Sequence, residues 1–379
     1  MLFSKKAKLL YLFVCISSLI PACSEDSDDT PINKDILIGG IAPLSGDAAL
    51  YGRMDKLVTD LIFDEINANG GINGRQVDVI WHDTKCDPAL AKTKAQELID
   101  NGVRIIFGDS CSGSTLAAAG PAEENEVILF TSSSSNTQIK NSGDFVFRVF
   151  PSDETSGTVL SHYANANFSN IGILTEQTEY AQGITAGFLK TYSGSAENKS
   201  FPSSLTDFTT MVAEIQELNV DAILLMPQTT AKIRLMAEAL DAAGWNKDVF
   251  GNEILALDEL ITSDYKEQYE AWNCVSANFI PPSSQSLDDF IAKFEFEYGE
   301  ELKLYSYAAT TVDRNNILKQ VLQEVGDETN TKAIRDAIYA IQEYDGLSGT
   351  LSFDENGEVN LSYSLVVFDG DTNSFVPVE

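Results

Sequence analysis

A glycine- and serine-rich loop is the stretch of this sequence best suited to bind a small anion. The loop, Gly108–Thr115, reads GDSCSGST and follows the apolar run Val103–Phe107. The first amides of a helix have no partner within the helix, and the helix dipole makes that end partly positive. If the loop joins a parallel strand to a helix, its amides suit a carboxylate or a phosphate. The same local pattern also fits an ordinary serine-capped loop.

A second polar loop follows the next apolar segment. Four consecutive serines, Ser132–Ser135, come directly after Val127–Phe130 and Thr131. Taken alone, a run of serines is typical of a flexible loop. Because the carboxyl ends of neighbouring parallel strands meet at one crevice, the two loops together predict a binding site for a small ligand.

The elements that must position these loops form two successive runs of alternating strands and amphipathic helices. This order predicts parallel sheets covered by helices on both faces. Predicted strands are Ile36–Ala42, Val77–Trp81, Val103–Phe107 and Val127–Phe130, then segments near Ile171–Leu174, Ala222–Met226, Val249–Phe250 and Cys274–Phe279. Predicted helices are Asp55–Asn67, Ala89–Asp100 and Thr115–Glu124, then segments near Ser156–Ala166, Ala181–Tyr192, Thr209–Leu218, Ala231–Ala243 and Asp258–Ala271. Residues 287–343 read as mainly helical, and the tail 347–378 as strands.

Composition excludes several classes of function. The chain has 379 residues, 44% of them hydrophobic, and a formal net charge of −32. Such a charge repels nucleic acid phosphates, so no nucleic acid partner is expected. His82 and His162 have no companions at metal-ligand spacing, and no serine lies in a Gly-x-Ser-x-Gly turn. We therefore expect no metal, no cofactor and no enzymatic activity.

The N-terminus has the pattern of a secretory signal. Three lysines precede the apolar run Leu9–Ile20, which is too short to cross a bilayer. Leu19–Cys23 resembles a bacterial lipobox, which makes residues 1–22 a signal peptide and Cys23 an acylated first residue. Plain secretion with cleavage near Ala22 is the alternative. Residues 23–35 read as an acidic tether, and such a tract also resembles signals for export to the outer surface.

Five cysteines are present. Cys15 would leave with the signal and Cys23 would carry lipid, so that Cys86, Cys111 and Cys274 remain. An oxidising compartment favours one disulfide among these three and leaves one thiol over.

Several motifs in order resemble the type I periplasmic binding proteins of the leucine/isoleucine/valine-binding family. They are Ile38–Gly46, Tyr51-Gly52, Glu65–Arg75, Cys86–Pro88, Gly108–Thr115 and Phe147–Asp153, and the likeness continues more loosely to the C-terminus. It implies two Rossmann-like α/β lobes, each a parallel sheet flanked by helices, joined by three crossovers. The N-terminal lobe would comprise residues 36–152 and 281–350, and the C-terminal lobe residues 153–280 and 351–379. Ligand would bind in the cleft between lobes that close about a hinge.

The resemblance also implies how an amino acid would be held. Its carboxylate would meet the helix start at Ser112, and the next loop would add contacts from Ser133 and Ser135. Its ammonium would meet an acid of the second lobe, for which Glu253 has the matching position.

Three further positions follow from the same resemblance. Tyr51 and Tyr180 match aromatic cleft residues of the family, although buried or surface tyrosines are the simpler interpretation. Gln228 stands where relatives often have an aromatic residue, and we hypothesise that it favours a more polar ligand side chain. Cys86 and Cys111 match the family's disulfide, while Cys274 lies on an apolar strand and should be a buried free thiol.

The expected function is that of a substrate-binding lipoprotein, which passes an amino acid with a branched-chain-type or a more polar side chain to the permease of an ABC transporter. A monomer on the extracytoplasmic side of the membrane is expected. The alternatives are a ligand-sensing receptor of the same fold, and a ligand that is an amide, a small organic acid or an aromatic carboxylate.

Overall fold

A computed structural model describes residues 35–257 and 264–378 of the chain. The predicted signal peptide, Cys23 and nearly all of the tether lie outside these residues. So does the first part of the predicted helix Asp258–Ala271, of which Lys266–Ala271 is described as helical.

The first sheet has five parallel strands, and their order is β2-β1-β3-β4-β5. Apolar runs such as Ile-Ile-Phe at β3 are buried on both faces, as a parallel sheet between helices requires. The strands are β1 Ile36–Ala42, β2 Val77–Asp83, β3 Ile105–Phe107, β4 Ile128–Thr131 and β5 Val146–Arg148.

The second sheet has seven strands in the order β14-β13-β10-β9-β8-β6-β7. Strands β6 to β10 are parallel, and β13 and β14 close the edge in antiparallel pairing. They are β6 Asn170–Glu176, β7 Ser195–Phe201, β8 Ala222–Met226, β9 Asp248–Asn252, β10 Val275–Asn278, β13 Ser364–Asp369 and β14 Ser374–Pro377. A separate pair, β11 Tyr344–Gly346 and β12 Gly349–Leu351, is antiparallel. The predicted α/β class with two parallel sheets is therefore confirmed.

Eleven helices are described in residues 35–257 and 264–378. The helix Tyr305–Val325 (α10), which comes late in the chain, packs against the helix Ala49–Ala68 (α1) beside the first sheet. The helices are α1 Ala49–Ala68, α2 Pro88–Asp100, α3 Ser112–Glu124, α4 Asp153–Asn167, α5 Glu179–Thr191, α6 Thr209–Glu217, α7 Thr230–Ala242, α8 Lys266–Ala271, α9 Gln285–Tyr298, α10 Tyr305–Val325 and α11 Thr331–Tyr339.

Three crossovers connect the two sheets. Two of them follow β5 and β10, close to the predicted boundaries. The third comes later than predicted, because residues 353–358 still contact the first sheet. The backbone amide of Arg148 donates to the carbonyl of Gly357 at 3.0 Å, and the Arg148 guanidinium pairs with Glu358. The chain therefore crosses after this segment and not near residue 350.

Helix α1 begins six residues before the sequence pattern predicts, at Ala49 instead of Asp55. Its first turn packs against the loop after β1, where a Cβ on Gly52 would lie 2.3 Å from the carbonyl oxygen of Pro43. Only glycine permits this approach, and the close packing sets the first turn, with Tyr51, beside the cleft.

Candidate ligand-binding site

A cavity lies between the two lobes, where the parallel strands of both sheets end. About 350 Å³ of space in and around it is not filled by atoms of the chain, a figure that includes open solvent. From the first lobe it is lined by Ala48, Tyr51, Ser110, Cys111, Ser133, Ser135 and Tyr307, and from the second by Tyr180, Gln228 and Ile254.

Five of the seven predicted ligand-binding residues line this cavity. They are Tyr51, Ser133, Ser135, Tyr180 and Gln228. The other two predicted residues lie directly behind the lining. Glu253 precedes Ile254 in a short 3-10 helix after β9, and Ser112 follows Cys111 at the start of α3.

The hydroxyl of Ser112 holds the neighbouring loop in place. Its oxygen accepts hydrogen bonds from the backbone amides of Ser135 at 3.2 Å and Asn136 at 3.1 Å. Ser112 is 1% exposed, so its immediate role is to join the two polar loops. The expected contact between Ser112 and a ligand carboxylate stays a prediction.

The four-serine run alternates between tying the loop down and facing the cavity. Ser132 pairs with the hydroxyl of Thr311 at 2.9 Å, and Ser134 donates to the carbonyl of Asp109 at 2.7 Å. Ser133 and Ser135 line the cavity, and the Ser133 hydroxyl is buried without a hydrogen-bond partner in the described part of the chain. The loop is thus a fixed platform with an unsatisfied polar atom facing the ligand space.

Two buried arginines, Arg148 and Arg314, donate hydrogen bonds to the serine loop and hold it in position. Arg148 donates to the carbonyl of Asn136 at 2.9 Å. Arg314 pairs with Asp55 at 2.8 Å, donates to Ser132 at 3.3 Å and stacks over the ring of Phe107. Buried charges that are hydrogen-bonded in this way fix geometry at the site.

Glu253 carries a desolvated carboxylate behind the cavity lining. Its Oε1 accepts a hydrogen bond from the Tyr307 hydroxyl at 3.0 Å, and the side chain is almost fully buried. Oε2 accepts no well-formed hydrogen bond from the described residues. Burial raises the pKa of Glu253, and its own backbone amide and the nearby hydroxyls of Tyr180 and Tyr307 oppose this rise. An ammonium placed here would neutralise a charge that the fold leaves poorly solvated.

A second buried acid, Asp153, stands behind the serine loop. Its backbone amide donates to the carbonyl of Ser135 at 2.8 Å. Burial raises the pKa of Asp153 well above its ordinary value, the hydroxyl of Ser135 lowers it, and the charge of Glu253 raises it further. A negatively charged ligand group on this side of the cleft therefore needs a compensating positive charge on the same ligand.

Gln228 joins the two lobes across the cleft. Its backbone amide donates to Glu176 Oε2 at 2.7 Å within the second lobe. Its side-chain Nε2 lies 3.1 Å from Cys86 Sγ in the first lobe. Asn136 of the first lobe also donates to the carbonyl of Glu179 in the second. Because these contacts join the two lobes, the cleft is closed in this structure.

The predicted disulfide is confirmed. Cys86 and Cys111 are bonded, with Cα atoms 5.6 Å apart and a sequence separation of 25. The bond fixes the loop between β3 and α3. Cys274 is a buried free thiol, as the sequence predicts.

Sequence reasoning missed Ala48, Ile254 and three polar residues of the site. Ser110 and Tyr307 line the cavity, and Asp153 lies behind it. Tyr307 comes from α10, nearly 200 residues along the chain from the serine loops, and no local pattern links them. Asp153 belongs to a motif that the resemblance used, but nothing in its spacing pointed to a buried carboxylate.

Asp109 should make the folded protein less stable as pH rises. Its side chain accepts from the Cys111 amide at 2.7 Å and from Thr84, and burial raises its pKa from 3.8 to about 7. Between these values the folded state keeps a proton that the unfolded state has lost. The unfolding free energy should therefore fall by up to about 1.4 kcal/mol per pH unit across this window.

The variant Asp109→Asn isolates this effect, because an amide can accept from Cys111 and donate to Thr84 without titrating. Denaturant unfolding at pH about 5 and about 7.5 should show wild type losing stability relative to the variant. Parallel pH profiles for the two proteins would contradict the assignment.

Two properties of the described residues bear on cofactors and membranes. No group of three or more histidine, cysteine, aspartate or glutamate side chains could hold a metal ion there. Within the same residues no helix has the length and apolar character to cross a membrane.

Comparisons with known proteins agree with this geometry. A family model described as "Periplasmic binding protein" matches residues 35–373. A leucine-, isoleucine-, valine-, threonine-, and alanine-binding protein of Pseudomonas aeruginosa is 26% identical over 346 residues, which cover 88% of this chain and 89% of the relative.

Two solved structures share the fold. A leucine binding protein of Thermotoga maritima superposes with a TM-score of 0.81 at 22% identity and covers 91% of this chain and 98% of its own. A solute binding protein of an ABC transporter from R. palustris, in complex with benzoate, has a TM-score of 0.80 at 17% identity and covers 91% of this chain and 95% of its own.

Proposed function

Because this chain belongs to the periplasmic binding protein family, we propose that it captures an amino acid outside the cytoplasm for uptake by an ABC transporter. The family is one of binding proteins and not of enzymes. The observation that carries the amino-acid assignment is the buried carboxylate of Glu253, which accepts from Tyr307 of the cavity lining, together with Ser133 and Ser135 in the same lining.

The two halves of an amino acid fit these two sides. The ammonium would pair with Glu253, and the carboxylate would accept hydrogen bonds from the loops that carry Ser112, Ser133 and Ser135. Each charge-assisted hydrogen bond contributes roughly 1.5–3 kcal/mol. Three or four of them, together with side-chain burial, are sufficient for micromolar affinity, about −8 kcal/mol.

The second candidate is a small organic carboxylate without an ammonium. It is favoured by the benzoate complex of the R. palustris protein, which has the same fold. Glu253 and Asp153 argue against it, because such a ligand would bring a negative charge to two buried acids without a compensating cation.

A thermal-shift screen tests the proposal. The chain beginning at Ser24, stripped of carried-over ligand, is melted with each of the twenty amino acids and with small carboxylates and amides. A ligand that binds only the folded state raises the melting temperature in relation to its excess over Kd. Shifts with amino acids support the proposal. Shifts only with ligands that lack an ammonium overturn the amino-acid assignment.

We further propose that the mature protein is a monomer anchored through a lipid on Cys23. Wild type expressed in a bacterium should incorporate labelled fatty acid and fractionate with membranes, because several acyl chains on one residue bind a bilayer firmly. Cys23→Ser should lose the label and the membrane association. Cys274→Ser is the matched control and should keep both. Fatty-acid label in Cys23→Ser would contradict the lipid anchor. Sedimentation of the chain beginning at Ser24 tests whether the protein is a monomer.

A further inference from the structure

We infer that this site selects an amino acid with a short, uncharged, hydrogen-bonding side chain, and that Ser110 and Gln228 determine that choice. The inference rests on the proposed function. It concerns the part of the cavity that the ligand's amino and carboxylate groups do not occupy. Those groups would use Glu253 and the serine loop. What remains of the lining includes Ser110, Cys111 and Gln228.

These three residues are held together at the disulfide. Cys111 is bonded to Cys86, whose Sγ lies 3.1 Å from Nε2 of Gln228. Ser110 precedes Cys111 in the loop and also lines the cavity. One side of the ligand space is therefore built from a hydroxyl and a carboxamide attached to opposite lobes.

The polar atoms here lack good partners. The Ser110 hydroxyl is shielded from solvent and has no hydrogen-bond partner in the described ranges 35–257 and 264–378. The Gln228 amide donates to a sulfur atom, which is a weak acceptor. A ligand hydroxyl or carboxamide would give both groups a full hydrogen bond. An aliphatic side chain would bury them without one, which a closed site disfavours strongly.

The buried acids near Ser110 and Gln228 further restrict which ligand side chains fit. Glu176 accepts from the backbone amide of Gln228 and is itself 2% exposed, and Asp109 directly precedes Ser110. An anionic ligand side chain would lie near these buried acids. A cationic one would find Glu176 already engaged by the Gln228 amide and Glu253 assigned to the ligand ammonium. The chemistry fits side chains like those of serine, threonine, asparagine and glutamine.

Pairs of ligands with nearly equal shape provide the test. Calorimetric titration of the ligand-free chain beginning at Ser24 compares threonine with valine and asparagine with leucine. We expect the polar member of at least one pair to bind about 10-fold tighter or more. Ser110→Ala should reduce that ratio several-fold, and Gln228→Ala should change the ranking of ligands.

Ser114→Ala is the matched control. Ser114 is in the same loop and helix start, and its hydroxyl is likewise buried without a partner among the described residues, but it does not line the cavity. In Ser114→Ala the ratio of the affinity for the polar ligand to that for its aliphatic partner should equal the wild-type ratio. Aliphatic ligands that bind as tightly as their polar partners would overturn this inference and leave the proposed function intact. Folded protein that binds no amino acid would overturn both.

Discussion

Glu253→Gln is expected to weaken amino acid binding by about 30-fold or more while leaving the protein folded. Removal of one partner of a buried, hydrogen-bonded charge pair costs about 2–5 kcal/mol, and each 1.4 kcal/mol is a factor of ten in Kd. The amide keeps the shape of Glu253 and can still accept from Tyr307, so the loss reports the charge. Calorimetric titration with the ligand identified by thermal shift measures the change.

The same variant should make the ligand-free protein more stable at neutral pH. Burial raises the pKa of Glu253, which means that the fold disfavours the charged form. An uncharged amide avoids that penalty, so Glu253→Gln should raise the melting temperature of the empty protein and abolish the further rise with ligand. Such opposite effects on binding and stability are typical of a residue retained for function.

Two comparisons make this prediction specific. Glu217→Gln changes the same charge at an exposed position of the second lobe and should alter neither affinity nor melting temperature. Wild-type affinity should also fall as pH drops through the raised pKa of Glu253, whereas the variant's weak binding should not show this dependence. Affinity of Glu253→Gln within about 3-fold of wild type would contradict the ammonium assignment.

Loss of the Cys86–Cys111 disulfide is expected to lower the unfolding free energy by about 3 kcal/mol. The bond closes a loop with a sequence separation of 25, and the estimate follows from the entropy that the cross-link removes from the unfolded chain. Denaturant unfolding of the double variant Cys86→Ala/Cys111→Ala, compared with wild type, measures the difference.

Binding should weaken in the same variant, because Cys111 lies between Ser110 and Ser112 and its partner Cys86 receives the Gln228 contact. The control is the double variant with and without reductant, which should give identical unfolding curves. If wild type and the double variant unfold within about 1 kcal/mol of each other, the bond does not stabilise the fold as argued.

The four serines of the run divide between attaching the loop to the fold and lining the cavity. Ser132 and Ser134 connect the loop to Thr311 and Asp109, and Ser133 and Ser135 face the ligand space. A loop with only two serines would lose either its attachment or its hydroxyls. The sequence showed an unusual polar run after a buried strand, but the alternation within it depends on partners elsewhere in the fold.

Most of the first lobe could be predicted from local pattern. The strand Ile36–Ala42 has the predicted limits, because its apolar residues are buried on both faces of a parallel sheet. Strand β7, Ser195–Phe201, was missed because it lies at an edge, is largely exposed and therefore has polar residues. Strand β5, Val146–Arg148, was too short to give a recognisable period.

The sequence by itself determined the α/β class, the two polar loops and the surplus of acid, whereas the role of Glu253 was a prediction from the family resemblance. These features are local: they depend on hydrophobic period, on loop composition and on motifs that lie close together in the chain. Only the tertiary structure decided that Tyr307 donates to Glu253, that Ser112 holds the serine loop and that Gln228 contacts the disulfide. These contacts join elements that are separated in the chain, and those of Tyr307 and Gln228 also join the two lobes, so their physical reason lies in how the elements pack in three dimensions.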